Sequence, residues 1–193
     1  MPDQRQFRNE DLVLQVNRNL DPVRLDLNRY ESFLDVLCGT REYQKEAVRV
    51  VLRYFLSERY NNLHQLAEEN FNSSEQIRER FTTFREMEHH LQFPNQLSCS
   101  VDLATATGKS YVMYAIARIM LAEGAVDRVL VLCPSRTIEK GLTGKFRSLS
   151  ADATYKELLP EDSRIRNPHI INGSSSIVDG DICIEIFTPP CNT

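Results

Sequence analysis

A chain of 193 residues that is 41% hydrophobic can bury one core of ordinary size, which excludes a disordered tail. Its formal charge of −4 excludes binding to nucleic acid by bulk attraction, so any polyanion has to be met by a local patch. The opening "MPDQRQFRNEDLVLQVNRNL" lacks the apolar core of a secretory signal, and no later run approaches the ~18 apolar residues of a membrane span. A cytoplasmic protein without a membrane partner is therefore expected. Five cysteines, Cys38, Cys99, Cys133, Cys183 and Cys191, have no CxxC spacing and predict reduced, mostly buried thiols.

Residues 1–39 read as an N-terminal helical extension. Scattered apolar positions (Leu12, Val13, Leu14, Val16, Leu20) precede "LNRYESFLDVLCG", where Tyr30, Phe33, Leu34 and Leu37 fall at helical spacing before Gly39 stops the run. In "TREYQKEAVRVVLRYFLSERY", Thr40 is placed to cap a second helix whose apolar stripe is Tyr43, Ala47, Val50, Val51 and Tyr54. Residues 60–97 are polar and predict a helical insertion, with a capping-box pattern at Ser73 and Gln76 and an apolar face of Ile77, Phe81, Phe84 and Leu91 up to Pro94. The adjacent His89 and His90 cannot share a helix face as paired metal ligands would, and read as surface residues.

The character of the chain then changes. "LSCSVDLA" reads as a short strand, "SYVMYAIARIMLAEG" as a helix ending at Gly124, and "RVLVLCP" as a strand closed by proline, which together make a βαβ unit. "SRTIEKGLTGKFRSLS" reads as a helix or loop with basic side chains. "SRIRNPHIINGSSSIVDGD" is turn-rich, with a loop at Ser174 to Ser176, and "DICIEIF" is a last apolar run. The predicted fold is α/β with a parallel sheet over residues 40–193, carrying the helical extension and the insertion.

Between the predicted strand and helix lies "ATATGKS", Ala104 to Ser110. A phosphate loop needs backbone amides directed at one point, a following helix whose N-terminus favours negative charge, a lysine for the terminal phosphates and a hydroxyl for magnesium. The amides of Thr105, Ala106, Thr107, Gly108 and Lys109, the Lys109 ammonium and the Ser110 hydroxyl supply these parts. Two positions depart from GxxxxGK[ST]: Leu103 stands at its first glycine, and Ala106 where a second glycine often helps the backbone turn. If Ala106 takes a positive φ, its methyl costs about 1 kcal/mol, which phosphate contacts can offset. The same "TGKS" also suits a plain turn and N-cap ahead of a core helix; the flanking strand and apolar helix favour the phosphate loop.

"LATATGKS" resembles motif I of superfamily 2 helicases, usually "ATGTGKT", and most of all the branch holding the restriction subunits of type III restriction enzymes and related DEAD/DEAH-like translocases. "REYQKEAV" resembles the Q motif region, and "RVLVLCPSRTIEKGLTGKF" resembles motif Ia with its strand. Together the three cover Arg41 to about Phe146 in the family's order. The resemblance implies a partial RecA-like P-loop NTPase domain that uses ATP and Mg2+. Gln44 would read the adenine edge, Lys109 would take the phosphates and Ser110 the magnesium. Pro134, Ser135 and Arg136 would meet a DNA backbone. Surface readings stay open, Gln44 as an exposed helix glutamine and Pro134 to Arg136 as a solvated turn. Implied partners are DNA and either the remaining helicase domains or a partner subunit, a methylase subunit among them.

Hydrolysis in this family needs an acidic DExH-type run after a strand, and a second RecA-like domain to supply arginines. No such run occurs; "PEDS" has acids without a preceding strand, and "GDIC" places Asp181 at the wrong end of its run. The expectation is an N-terminal part of a longer ATP-dependent translocase, inactive alone, with unpaired sheet edges. Two rivals are a stand-alone nucleotide-binding regulatory module completed by a partner chain, and a small P-loop phosphotransferase.

Overall fold

The computed structural model describes residues 12–19, 25–104, 106–172 and 183–189. In chain order, a 3₁₀ turn at Leu27–Tyr30 leads into α1 (Glu31–Cys38) and α2 (Glu42–Leu56). Three short helices follow, α3 (Leu63–Ser73), α4 (Glu75–Arg80) and α5 (Phe84–Glu88). The remainder is α6 (Lys109–Ala122), β1 (Arg128–Leu132), α7 (Arg136–Ala151), α8 (Ala153–Glu157), β2 (His169–Asn172) and β3 (Cys183–Phe187). The strands form one parallel sheet in the order β1-β3-β2, with Ile184 flanked by Val129 and Ile170. The α/β class with a parallel sheet is thus the class the chain adopts. No helix among the described residues is long and apolar enough to cross a membrane.

The chain divides into two compact units, Met1–Leu20 with Glu58–Ser100 and Asp21–Ser57 with Val101–Thr193. In the first, the polar stretch from residue 60 is helical, as its caps and spacing predict. Ala67, Ile77, Phe81 and Met87 make a small core, with Leu12, Leu14, Phe71, Phe84 and Leu91 packed around it. Residues 12–17 form no helix. They are held instead by the buried Asn70 side chain, which accepts from the Gln15 amide at 2.8 Å and donates to the Gln15 carbonyl at 2.9 Å, as a neighbouring strand would. The cap of α4 is Ser74, one residue later than the capping box suggested; its hydroxyl accepts from the Ile77 amide at 3.3 Å. Ser73 still belongs to α3 and sends its hydroxyl back to the Glu69 carbonyl at 2.7 Å. Only Ser74 has left helical geometry (φ −102°, ψ 117°), and an N-cap needs that extended backbone.

The second unit holds the larger core, built from Tyr30, Phe33, Leu34 and Leu37 before α2, Val48 and Leu52 on it, and residues of α6, α7 and β3. Gly39 ends α1 at φ +60°, as predicted. Two details of α2 differ from expectation. Arg41, not Thr40, precedes the helix, and no side chain caps it; Thr40 offers only its carbonyl to the Glu42 amide. The buried face is Gln44, Val48, Val51 and Leu52, with Val51 and Tyr54 of the predicted stripe buried and Tyr43 exposed. Ion pairs fix this rotation: Lys45 meets Asp35, and Arg49 meets Glu31 and Glu42 at 2.6 Å each, so that α2 is clamped to α1.

Helix α6 is apolar nearly all round and buries Ala115, Ile119 and Leu121. Gly124, at φ +70°, ends it with two closing bonds, Gly124 N–H to Leu121 C=O at 3.1 Å and Ala125 N–H to Met120 C=O at 2.9 Å. The strand expected at "LSCSVDLA" is not formed. Cys99, Ser100, Val101 and Asp102 are exposed, and the stretch joins no ladder among the described residues. Strand propensity without a neighbour to satisfy the backbone gives an extended segment and nothing more. The parallel units are instead assembled on β3: "HIIN", inside the turn-rich stretch, is β2, and "SRTIEKGLTGKFRSLS" is helical as α7. Cys38, Cys133 and Cys183 are buried and Cys99 exposed, and none of the four is in a disulfide. The Ser174 to Ser176 loop, Asp181 and Cys191 lie outside the described residues.

Candidate functional site

Gly108 is the N-cap of α6 in the left-handed conformation (φ 81°, ψ 36°), and Ala106 also has positive φ, at 63°. The chain therefore does require at Ala106 the backbone that glycine would take freely, and carries about 1 kcal/mol of methyl strain there. Inside the loop, the Ala104 carbonyl accepts from both the amide (3.3 Å) and the hydroxyl of Thr107. That removes Thr107 from the amides free for an anion. The amides of Ala106, Gly108, Lys109 and Ser110 have no backbone acceptor among the described residues. They sit at the N-terminus of a 14-residue helix, where partial positive charge collects. Thr105 lies outside the described residues.

Helix α2 supports the loop from the side. The Thr107 carbonyl accepts from the Tyr43 hydroxyl at 3.1 Å and from the Gln44 side-chain amide. Gln44 is completely buried, and a Cβ built on Gly108 would stand 2.5 Å from its Nε2. Glycine at 108 is thus required twice, by its φ and by the approach of Gln44. The other end of that carboxamide, Oε1, is buried with no hydrogen-bond partner among the described residues. In this structure the donor half of Gln44 is committed to the loop and the acceptor half is unsatisfied. Tyr43, read from the sequence as part of an apolar stripe, belongs to this support.

Lys109 is exposed at the first position of α6. The Ser110 hydroxyl accepts from Nζ of Lys145 at 2.7 Å, and the same ammonium lies 3.6 Å from the centroid of the Tyr111 ring. Lys145 comes from α7, 35 residues further on, and no local spacing marks it. The Ser110 oxygen thus faces a position suited to positive charge, which a magnesium ion would take only in place of the ammonium. Among the described residues no group of three or more His, Cys, Asp or Glu could hold a metal. Ser110 would therefore share magnesium with phosphate oxygens and water, as Mg2+ favours.

The segment following β1 starts with Cys133, whose amide bonds the Phe187 carbonyl at 2.8 Å. Pro134 and Arg136 are exposed, and Ser135 caps α7, its hydroxyl accepting from the Ile138 amide at 3.4 Å. The three stand at the carboxyl end of β1, the side of a parallel sheet where ligands bind in open α/β folds. Among the described residues the Ser135 hydroxyl hydrogen has no acceptor and the Arg136 guanidinium beside it has no carboxylate partner.

Residues 37–185 match the sequence family described as "Type III restriction enzyme, res subunit". No curated protein and no solved structure matches the chain.

Proposed function

This chain belongs to the type III restriction enzyme res-subunit family, and we propose that it binds ATP through Ala106 to Ser110 as the motor portion of a DNA translocase. Membership supports an ATP-dependent, helicase-like function. The observation that carries the nucleotide reading is the loop itself: two left-handed positions, Ala106 and Gly108, flank Thr107 at the start of a helix that continues into Lys109 and Ser110, and its leading amides have no backbone acceptor among the described residues.

In this reading the free amides and Lys109 hold the β- and γ-phosphates, while Gln44 and Tyr43 keep the Thr107 carbonyl turned away from them. Magnesium, held by Ser110 and the phosphates, would supply charge neutralisation on the terminal phosphate oxygens. The unsatisfied Oε1 of Gln44 is the group that supports an adenine-side role, since a base amino group could complete it. Pro134, Ser135 and Arg136 meet a DNA backbone, with hydroxyl and guanidinium contacts that position the strand without reading its sequence. Because the sequence has no DExH run after a strand, turnover is supplied together with further helicase domains or a partner subunit, and a methylase subunit is a partner of the parent system.

The test is calorimetric titration of the 193-residue chain with ATP, alone and as Lys109→Ala. A loss of about tenfold or more in affinity is expected for the variant. Equal affinity of the two proteins would sink the reading.

A further inference from the structure

Four cations among the described residues of the second unit are answered by carboxylates: Arg29 by Asp162, Lys45 by Asp35, Arg49 by Glu31 and Glu42, and Arg164 by Asp127. Lys145 differs. Among the described residues no carboxylate lies within ion-pair distance of it, and its ammonium rests on two neutral groups, the Ser110 oxygen and the Tyr111 ring. Both belong to the first turn of α6, immediately after Gly108. A half-buried cation held by a hydroxyl lone pair and a π face still lacks an anion. At the same helix end stand the amides of Gly108, Lys109 and Ser110, which have no backbone acceptor among the described residues.

The position also conflicts with a metal. A magnesium ion sits ~2.1 Å from each oxygen ligand, and the Lys145 nitrogen is already 2.7 Å from Ser110 Oγ. Two cations cannot share that oxygen at close range without strong repulsion, so one displaces the other. Lys145 reaches Ser110 from a different helix, and a rotation about its side chain frees the oxygen without moving the loop.

We propose that Lys145 is a built-in counter-cation of the phosphate loop, holding the Ser110 oxygen that magnesium would take, so that this chain binds a nucleoside triphosphate without magnesium. The proposal rests on the nucleotide reading of the loop. With the metal absent, the ammonium stays beside Ser110 and meets the phosphate oxygens from there. With the metal present, it yields Ser110 and contributes little.

The experiment is isothermal titration of the 193-residue chain with ATP, in excess EDTA and again in excess magnesium, for the wild type, Lys145→Gln, Lys145→Arg, Tyr111→Leu and Lys109→Ala. The wild type is expected to change affinity by less than about threefold between the two conditions, and Lys145→Gln to weaken about tenfold in EDTA but less than about threefold in magnesium. Lys145→Arg keeps the charge and is expected to follow the wild type. Tyr111→Leu removes the ring that holds the ammonium and should weaken EDTA binding alone, which keeps the test open if Lys145→Gln fails to fold. The proposal is overturned if Lys145→Gln binds as the wild type does in EDTA, if it weakens equally in both conditions, or if Lys145→Arg behaves like Lys145→Gln. Undiminished binding by Lys109→Ala in both conditions would instead remove the nucleotide reading.

Discussion

The two arms of the loop are built differently. On its C-terminal side, α6 runs straight into the core, where Ala115, Ile119 and Leu121 are completely buried and Tyr114 meets the ring of Phe146 edge-on at 5.2 Å. On its N-terminal side, Cys99 to Asp102 are exposed and make no ladder among the described residues; Leu103 alone packs against the core. The loop is therefore not delivered by a strand. Its shape is set by the helix that follows and by Gln44 pressing on Gly108 from α2, so a loop with two left-handed positions can be specified from one side.

Substitutions on the two arms should separate widely. Phe146→Ala empties a fully buried site beneath α6 and is expected to cost about 3–5 kcal/mol in urea unfolding. Gly108→Ala adds a methyl at positive φ and drives Gln44 from Thr107, for about 2–3 kcal/mol in all. Combining it with Gln44→Ala should recover part of that, and strict additivity in the double-mutant cycle would show that the two residues do not touch. Ala106→Gly relieves about 1 kcal/mol of strain but loosens the unfolded chain by a similar amount, so thermal melting should shift by no more than about 0.5 kcal/mol equivalent, toward stability. Val101→Ser, on the exposed arm, should stay within about 0.5 kcal/mol. A penalty there approaching that of Phe146→Ala would erase the difference between the arms.

Much of this was legible from local pattern. Gly39 and Gly124 act through their own backbone and so mark helix ends in the sequence itself, and the strong apolar run of α6 could hardly be anything but a core helix. Gly108 was legible as the turn before α6 for the same reason, and the positive φ that was only a condition at Ala106 is the one its backbone adopts. What escaped depends on partners distant in sequence. "LSCSVDLA" has strand formers but no neighbour, whereas "HIIN" looks like part of a loop and becomes β2 because β3 offers it a register. Lys145 is 35 residues from Ser110, and only the packing of α7 brings it there. Tyr43 was assigned to the core by hydrophobicity, but its ring tolerates exposure and its hydroxyl has a carbonyl to meet.

The bonds that close the base of the helical insertion bear on how the chain folds. Gln44 and Thr107 meet across 63 positions, a long loop to close from an unfolded chain. Within that span, the Leu63 amide bonds the Gln96 carbonyl and the His64 amide bonds the Pro94 carbonyl, both at 2.9 Å. Once these form, about half of the span is short-circuited, and each halving of a flexible loop saves about 0.6 kcal/mol of closure entropy. The order of assembly that follows is local helices first, the pinned insertion next and the Gln44 latch last. A refolding experiment would then show protection at Leu63 and His64 amides before any appears at the Ala106–Gly108 turn.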